Sequence, residues 1–227
     1  MSTRLLLFDI DGTLVDTGGA GMTSLVEATN EVFGEDGPKL DLAGATDSGL
    51  LKSIYRSFGR EEEELTTARF FDRYLARLEL NLKDSCFGGR VLPKVEEVLE
   101  ECAQAGGVLG LLTGNIAAGA EVKTRHYGLD GFFGFGAYGD DHFDRNQLGP
   151  IALSRAEKES GQKIDAAEVV VIGDTPKDIW CAQAFGAKSV CVATGSFTVE
   201  QLQAEGADAV FEDFEDVDAV LSELLGS

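Results

Sequence analysis

The sequence predicts an α/β fold in which a doubly wound, mostly parallel sheet is interrupted after its first strand by a helical insert. Three observations favour this class. Short apolar runs typical of buried strands recur along the 227-residue chain. Segments with helical periodicity separate the later runs. The stretch from residue 17 to residue 90 contains helical patterns and no convincing strand.

Apolar runs without polar alternation are typical of parallel strands that are buried on both faces of a sheet. The chain has four strong runs and a weaker last one, which are Leu5–Phe8, Val108–Leu112, Val169–Ile172, Ser189–Ala193 and Ala209–Phe211. Helices are predicted between the runs where a proline opens a periodic segment and a glycine follows its end. They are Pro93–Ala103, Pro150–Ser160 and Pro176–Phe185.

Residues 17–90 are predicted to form a separate helical domain, inserted into an α/β core of residues 1–16 and 91–227. Its three predicted helices are about Ala20–Phe33, Asp47–Phe58 and Glu61–Leu82. The acidic start of the third suits the positive end of a helix dipole. Glycines near the two boundaries are candidate hinges, namely Gly18, Gly19, Gly21, Gly88 and Gly89.

Charge and composition exclude several classes of partner. The formal net charge is −21, which disfavours nucleic acid and acidic membrane surfaces, because binding to phosphate requires lysine and arginine. No apolar run approaches the ~20 residues of a membrane span, and the N-terminal apolar stretch is too short for a signal peptide. The four cysteines form no metal-binding or disulfide pattern, so we expect reduced thiols and a cytoplasmic protein.

The first three apolar runs each end in a short polar motif. "DIDGT" begins at Asp9, "TGN" at Thr113 and "GDTPKD" at Gly173. In an open α/β sheet, ligands bind outside the carboxyl ends of the strands, where the strand order reverses. The three motifs are therefore expected to converge on one site.

Two neighbouring acids, Asp9 and Asp11, are tolerable at a strand end if a hard cation lies between them. Mg²⁺ takes oxygen ligands and is usually held by one or two carboxylates and a substrate phosphate. Asp9 and Asp174 are the best candidates for side-chain ligands, and Asp11 is expected to contribute its backbone carbonyl.

The same acids suit phosphoryl transfer. Asp9 is a candidate nucleophile, because carboxylates form phosphoryl-enzyme intermediates. The Asp11 carboxylate is a candidate proton donor to the leaving oxygen and afterwards a base for water. Thr113, the amide that follows it and a nearby cation are expected to bind the phosphoryl oxygens.

Each motif also has a structural alternative. Most isolated Asp-x-Asp pairs are turn or capping residues. Thr175 and Asp178 are spaced as a capping box, so the Asp178 carboxylate can serve a helix start. Thr113 can be a strand-end hydroxyl that satisfies the next turn. The three motifs are far more specific together than singly.

The stretches "DIDGTLVDT", "LLTGN" and "VVVIGDTPKD" resemble the first, second and fourth motifs of the haloacid dehalogenase-like hydrolase superfamily. The resemblance covers essentially the whole chain, and the helical insert is similar to the small cap domain of that family. It implies a Rossmann-like core, a nucleophile at Asp9, a general acid/base at Asp11 and a phosphate ligand at Thr113. It also implies Mg²⁺ among Asp9, Asp11 and Asp174, with Asp178 as an outer or direct partner.

The first motif resembles the phosphatase branch of this family, since the dehalogenase branch lacks the second acid. Phosphoglycolate phosphatase-like members with a helical cap are the most similar. A helical cap that encloses a small volume favours a small phosphorylated metabolite over a phosphoprotein as substrate, and Gly114 and Asn115 are expected beside Thr113 at its phosphate. A sugar-phosphate mutase is the alternative within the superfamily. A receiver-like signalling module and a non-catalytic binding protein have less support.

The third motif of the family, a lysine upstream of the fourth motif, has no counterpart before Pro150 in "GDDHFDRNQLGPIALSRAEK". Arg145 is the nearest basic residue in that loop, and an arginine can neutralise a phospho-aspartate through its planar, bidentate guanidinium. Lys158 is the second candidate, although it falls within a predicted helix, and Lys123 and Lys177 are weaker. An ordinary loop salt bridge is the alternative for Arg145.

Three further features are interpreted from their context. "GFGAYG", residues 134–139, matches a dinucleotide fingerprint literally but follows no strong strand, so we interpret it as a loop. His126 is interpreted as structural, at the end of a helix, and His142 as a surface-loop residue. The stretch Ala43 to Gly49 is either a substrate-facing loop or an ordinary helix connection with Asp47 as the helix cap.

Overall fold

The computed structural model describes residues 4–226. In these residues, six strands form one parallel sheet and two form a short antiparallel pair. The strands are β1 (Leu5–Phe8), β2 (Val15–Asp16), β3 (Arg90–Val91), β4 (Val108–Leu112), β5 (Gly136–Ala137), β6 (Val169–Gly173), β7 (Lys188–Val192) and β8 (Ala209–Phe211). The helices are α1 (Ala20–Phe33), α2 (Asp47–Ser57), α3 (Glu64–Lys83), α4 (Val95–Gln104), α5 (Ala117–His126), α6 (Leu148–Ser160), α7 (Pro176–Phe185), α8 (Val199–Ala204) and α9 (Val217–Leu225).

The large sheet has the strand order β5-β4-β1-β6-β7-β8, and every neighbouring pair is parallel. The central strand β1 pairs with β4 on one side and with β6 on the other, so the order reverses there. Phe8 lies opposite both Leu111 and Ile172, which brings the carboxyl ends of the three strands to the same level. The predicted fold class, a doubly wound parallel sheet, is confirmed.

The central strand is buried on both faces, as its continuous apolar run predicts. Leu5 and Leu7 pack with apolar residues of α6 and α7, whereas Leu6 and Phe8 pack with residues of α4 and α9. All four side chains have no exposed surface. Full burial stabilises each by about 1.5–3 kcal/mol, and this holds the site-bearing end of β1 in a fixed position.

Helices α1, α2 and α3 lie between β2 and β3 and share their own apolar cluster, which includes Leu25, Ile54, Phe70, Tyr74 and Leu78. Residues 17–90 are described throughout, and the predicted absence of strands holds up to residue 89, because Arg90 is the first residue of β3. Strands β2 and β3 pair antiparallel where the chain enters and leaves this segment. The division into a core of residues 1–16 and 91–227 and a cap of residues 17–90 stays a prediction.

Several element boundaries differ from the prediction. Helix α1 begins and ends as predicted, but α3 begins at Glu64 and not at Glu61, because Glu63 has the extended backbone of an N-cap residue. Helix α6 begins two residues before Pro150, which therefore lies in its first turn, where a proline is tolerated. Helices α8 and α9 are additional to the prediction.

The interpretation of residues 134–139 as a loop is wrong in part. Gly136 and Ala137 form β5, an edge strand of the large sheet that pairs with Leu111 and Leu112 of β4. Within residues 4–226, none of the helices combines the length and apolar character needed to cross a bilayer.

Candidate active site

The carboxyl ends of β1, β4 and β6 open into a cavity of about 520 Å³ between the sheet and the helical segment of residues 17–90. The lining includes all but one of the residues that the sequence predicts for the site: Asp9, Asp11, Thr113, Gly114, Asn115, Arg145 and Asp174. The exception, Asp178, lies against Arg145. The expected convergence of the three strand-end motifs is therefore observed.

Three buried carboxylates lie together at the base of this cavity. Asp9, Asp174 and Asp178 each offer one oxygen, and these oxygens lie within 4.8 Å of one another. Burial raises the pKa of Asp9 to about 6, against the lowering effect of Arg145, and repulsion from Asp178 and Asp11 adds to it. Burial, followed by repulsion from Asp178 and Asp9, raises the pKa of Asp174 well above its usual value. A nearby cation stabilises the ionised form of such a buried carboxyl group.

Arg145 is the nearest cation to these carboxylates. Its Nη2 donates to Asp178 Oδ1 at 2.5 Å and to the carbonyl oxygen of Leu112 at 3.2 Å, and lies 3.2 Å from Asp9 Oδ2. Burial disfavours its charged form, but the carboxylates of Asp178 and Asp9 outweigh this and raise the pKa of Arg145 above its usual value. Among residues 4–226, its Nε is the one buried side-chain polar atom without a hydrogen bond.

Asp178 takes the position that its capping-box alternative predicts. Its Oδ2 accepts hydrogen bonds from the backbone N–H of Thr175 at 3.1 Å and from the Thr175 hydroxyl at 2.8 Å, while Oδ1 faces Arg145. Both oxygens are therefore engaged at the start of α7. The role of Asp178 at a metal stays a prediction, and its observed contacts make it a support for Arg145.

Asp11 faces the opposite side of the cavity and is held by two side chains. Lys123 Nζ donates to its two oxygens at 2.8 and 2.6 Å, and Asn115 Nδ2 donates to Oδ2 at 2.8 Å. Lys123 also donates to Asn115 Oδ1 at 2.7 Å and is 3% exposed. From the sequence, Lys123 is only a weaker candidate to replace the lysine of the third family motif. In the structure it is the second basic residue of the lining. Its position in α5, two turns beyond Asn115, is the only sequence signal for it.

Residues 113–115, the "TGN" turn, line the cavity and also make structural hydrogen bonds with one another. Thr113 is fully buried, and its hydroxyl oxygen accepts from the side chain of Asn115 at 2.8 Å and from its backbone N–H at 3.3 Å. The strand-end alternative for Thr113 is thus observed. Asn115 connects Thr113 to Asp11, so the turn fixes the position of the second acid.

The loop after a fourth strand, β7, also contributes to the site. This contribution is not predicted from the sequence. After β7, Thr194 donates from its hydroxyl to the carbonyl oxygen of Gly12 at 2.5 Å. Gly195 packs so closely against Asp174 that a Cβ there would overlap the carboxylate, and Gly12 approaches the same carboxylate from the other side. The strand-end rule that identified the other three motifs, applied to β7, would have found this loop.

The stretch from Ala43 to Gly49 lies over the cavity and contacts the core directly. Asp47 donates from its backbone N–H to Gly114 O at 2.7 Å, and its Oδ2 accepts from the backbone N–H of Ile116 at 2.9 Å. Burial raises the pKa of Asp47 to about 6, against the lowering effect of Lys123. The alternative in which Asp47 caps α2 is wrong, because Thr46 is the N-cap and its hydroxyl oxygen accepts a hydrogen bond from Gly49 N at 3.1 Å.

The remaining candidates lie outside the lining. Lys158, on α6, and Lys177, on α7, are absent from it, and so are both histidines. His126 is the last residue of α5, as interpreted. The ring of His142 stacks on Phe143 in the loop after β5, and its Nδ1 accepts from Asp144 N at 2.9 Å.

The chain matches a known protein family. A family model described as "Haloacid dehalogenase-like hydrolase" matches residues 6–192. Among curated proteins, "Probable phosphatase IndB" of Dickeya dadantii is 26% identical over 94% of this chain and 91% of its own length. A phosphoglycolate phosphatase of Agrobacterium fabrum is 28% identical over 98% of this chain and 94% of its own.

Solved structures share the fold. A structure described as a predicted phosphoglycolate phosphatase from Haemophilus somnus has a TM-score of 0.72 at 20% identity and covers 97% of this chain and 98% of its own. A hydrolase from Pseudomonas syringae has a TM-score of 0.71 at 23% identity, over 98% and 99% of the two chains. At these identities the likeness concerns the fold alone.

Proposed function

Because this chain belongs to the haloacid dehalogenase-like hydrolases, we propose that it is a phosphatase that hydrolyses a small phosphorylated metabolite through a phospho-aspartyl intermediate. One observation carries the proposal. A buried carboxylate, Asp9, lies at the base of the cavity within 3.2 Å of Arg145, and a second carboxylate, Asp11, lies two residues further on at the cavity wall. A nucleophile, a charge partner and a proton carrier are therefore available together.

In the first step, a carboxylate oxygen of Asp9 attacks phosphorus, and the bond between phosphorus and the ester oxygen breaks. The alcohol leaves with a proton from Asp11, which is then ionised and faces Lys123. In the second step, Asp11 takes a proton from water as the water oxygen attacks the phospho-aspartate. Inorganic phosphate leaves, and the Asp9 carboxylate is restored.

The phosphoryl oxygens have three donors from the chain. Arg145 supplies a guanidinium beside Asp9, the Thr113 hydroxyl lies at the end of β4, and the Gly114 N–H follows it. Such prearranged donors stabilise the charge that develops in the transition state. We assign Asn115 to positioning, since its side chain already holds Asp11 and Thr113.

The donor set at the cavity base fits Mg²⁺. Asp9 and Asp174 are buried carboxylates with raised pKa values and closely spaced oxygens, an arrangement that a divalent cation relieves. We propose that these two side chains and the Asp11 carbonyl hold the ion. When bound, Mg²⁺ supplies positive charge that allows the anionic carboxylate and the anionic phosphate to approach each other. The cytoplasm, a reducing compartment, suits the four free cysteines.

The test replaces the nucleophile. We expect Asp9→Asn to lower hydrolysis of an aryl phosphate by at least about 10³-fold, since Asn cannot form the intermediate. Asp140→Asn, at an exposed carboxylate outside the cavity, is the matched control. Wild-type-like turnover by the Asp9 variant would refute the proposed nucleophile. Release of inorganic phosphate supports a phosphatase, whereas return of the phosphoryl group to a sugar phosphate supports a mutase.

A thermal shift tests the metal site independently of activity. Mg²⁺ that binds only the folded state raises the melting temperature. We expect this rise in the wild type and in Asp140→Asn, and we expect its loss in Asp174→Asn. An equal rise in all three proteins would place the ion elsewhere.

A further inference from the structure

The cavity is strongly acidic for a site that binds an anion. Among the described residues, its lining contains five carboxylates and two cations: Asp9, Asp11, Asp41, Asp47 and Asp174 against Lys123 and Arg145. The acids at the base of the cavity have proposed roles in phosphoryl transfer and in holding the metal ion. Asp47 is not one of these acids. It lies in the helical segment of residues 17–90, over the cavity and not at its base.

Both cations of the lining are already paired. Arg145 lies against Asp178 and Asp9, and Lys123 donates to both oxygens of Asp11. Lys177 is not part of the lining; it packs against Gly44, and Asp41 is its strongest favourable charge partner. The lining therefore offers no uncommitted basic side chain to a second negative group on the substrate.

The wall around Asp47 is mostly apolar. Met22, Leu25, Leu50 and Tyr74 line this side together with the Asp47 carboxylate, which is 7% exposed. The carboxylate has one hydrogen bond from the chain, donated by the backbone of Ile116. An anionic group placed against this wall would lose water and face a like charge. The cation that acts on Asp47, Lys123, is already bonded to both oxygens of Asp11.

Resting on the proposed function, we propose that the substrate is a phosphomonoester whose alcohol portion carries no negative charge, and that Asp47 rejects anionic alcohol portions. Repulsion of the wrong ligand is an established route to specificity. A neutral polyol or an amino alcohol is compatible with this wall, since its hydroxyl or ammonium groups can donate hydrogen bonds to the Asp47 carboxylate. A carboxylate or a second phosphate does not. Phosphoglycolate, which carries a carboxylate, is accordingly a poor substrate for this chain.

Three phosphomonoesters of nearly equal size isolate the effect of charge. They are 2-hydroxyethyl phosphate, which has a neutral alcohol portion, phosphoethanolamine, which has a cationic one, and phosphoglycolate, which has an anionic one. We expect kcat/KM for the neutral and cationic esters to exceed that for phosphoglycolate by at least about tenfold, equivalent to about 1.4 kcal/mol. Where turnover of all three is too slow to measure, their inhibition constants against an aryl phosphate are expected in the same order.

A matched pair of variants tests the role of Asp47. Asp47 and Asp140 each accept a backbone N–H at the start of α5, from Ile116 and Ala117, but only Asp47 lines the cavity. We expect Asp47→Asn to narrow the preference for the neutral ester over phosphoglycolate by about fivefold or more. Asp140→Asn is expected to leave that ratio unchanged. Because each ratio is measured within one protein, a general loss of activity does not affect it.

The outcomes separate this inference from the proposed function. If phosphoglycolate is processed or bound as well as the neutral ester, the inference is overturned and the phosphatase proposal survives. A preference that persists equally in Asp47→Asn refutes the role of Asp47. If the wild type with Mg²⁺ hydrolyses no aryl phosphate, the proposed function fails, and the inference fails with it.

Discussion

Lys123 Nζ lies 2.8 and 2.6 Å from the two carboxylate oxygens of Asp11, across 112 positions of the chain. The lysine side chain is almost fully buried, whereas that of Asp11 is 40% exposed toward the cavity. The pair therefore holds the second acid of "DIDGT" in place and leaves part of its surface open to the cavity. We propose that Lys123 acts through Asp11, as a positioning residue.

Replacement of this lysine is expected to impair proton transfer more than substrate binding. Lys123→Met removes the charge but keeps much of the length, and we expect kcat to fall about 10- to 100-fold with a smaller change in KM. This fall is expected because Lys123 holds both carboxylate oxygens of Asp11 in place. Lys158→Met, at an exposed lysine, is the control. An unchanged kcat in Lys123→Met would contradict the assignment.

Removal of the Arg145 guanidinium is expected to destabilise the fold. Arg145→Ala leaves Asp178 buried without its charge partner, which typically costs about 3–5 kcal/mol of unfolding free energy. Urea unfolding measures this change. Arg145→Lys keeps the charge, so we expect a smaller loss of stability, but one ammonium cannot reproduce the contacts with Asp178, Asp9 and Leu112 O. Activity should therefore fall in both variants. Equal stability of Arg145→Ala and the wild type would contradict this prediction.

Gly114 allows the loop over the cavity to approach the core. A Cβ at this position would overlap the carbonyl oxygen of Ala45, so Gly114→Ala must displace the loop. We expect kcat/KM to fall about 10- to 100-fold, as for other small misplacements of substrate-contacting groups. Gly131→Ala, where a Cβ meets no atom within 4 Å, is the control for a Gly-to-Ala change. Similar activity of both variants would show that the loop does not need its observed position.

Asp47 is expected to lower stability at neutral pH. Its pKa in the folded state is raised from 3.8 to about 6, so ionisation is harder in the folded than in the unfolded chain. The wild type therefore loses stability as the pH rises through this interval, and the loss remains above it. We expect Asp47→Asn to be more stable by about 1–3 kcal/mol near pH 7.5 and equally stable near pH 3.5. Urea unfolding at the two pH values measures the difference, and a less stable variant near pH 7.5 would refute the prediction.

The central strands could be predicted because their burial leaves a direct trace in the sequence. Strands β1, β4 and β6 are covered on both faces, and each appears as an unbroken apolar run. Helix α1 could be bounded because Gly34, in the left-handed conformation, ends it. Strand β5 could not, since its two residues, Gly136 and Ala137, have little strand propensity and are ordered by pairing with β4.

The site was predictable where its residues follow strand ends. Asp9, Thr113 and Asp174 were identified in this way, because topology alone brings the ends of β1, β4 and β6 together. The contact of Lys123 with Asp11 depends on the placement of a whole helix, α5, and no local pattern reports that placement. The loop that brings Gly195 against Asp174 differs from Lys123 in this respect, because it follows β7 and the strand-end rule applies to it.

The short pairing of β2 with β3 has a consequence for the history of this chain. Val15 lies opposite Val91 and Asp16 opposite Arg90, so the two ends of the helical segment emerge side by side. A segment with adjacent ends can be lengthened, shortened or exchanged while the flanking backbone stays in place. If Asp47 selects the alcohol and Asp9 attacks phosphorus, as proposed, the two roles can evolve on separate parts of one gene, because Asp47 lies within that segment and Asp9 lies outside it.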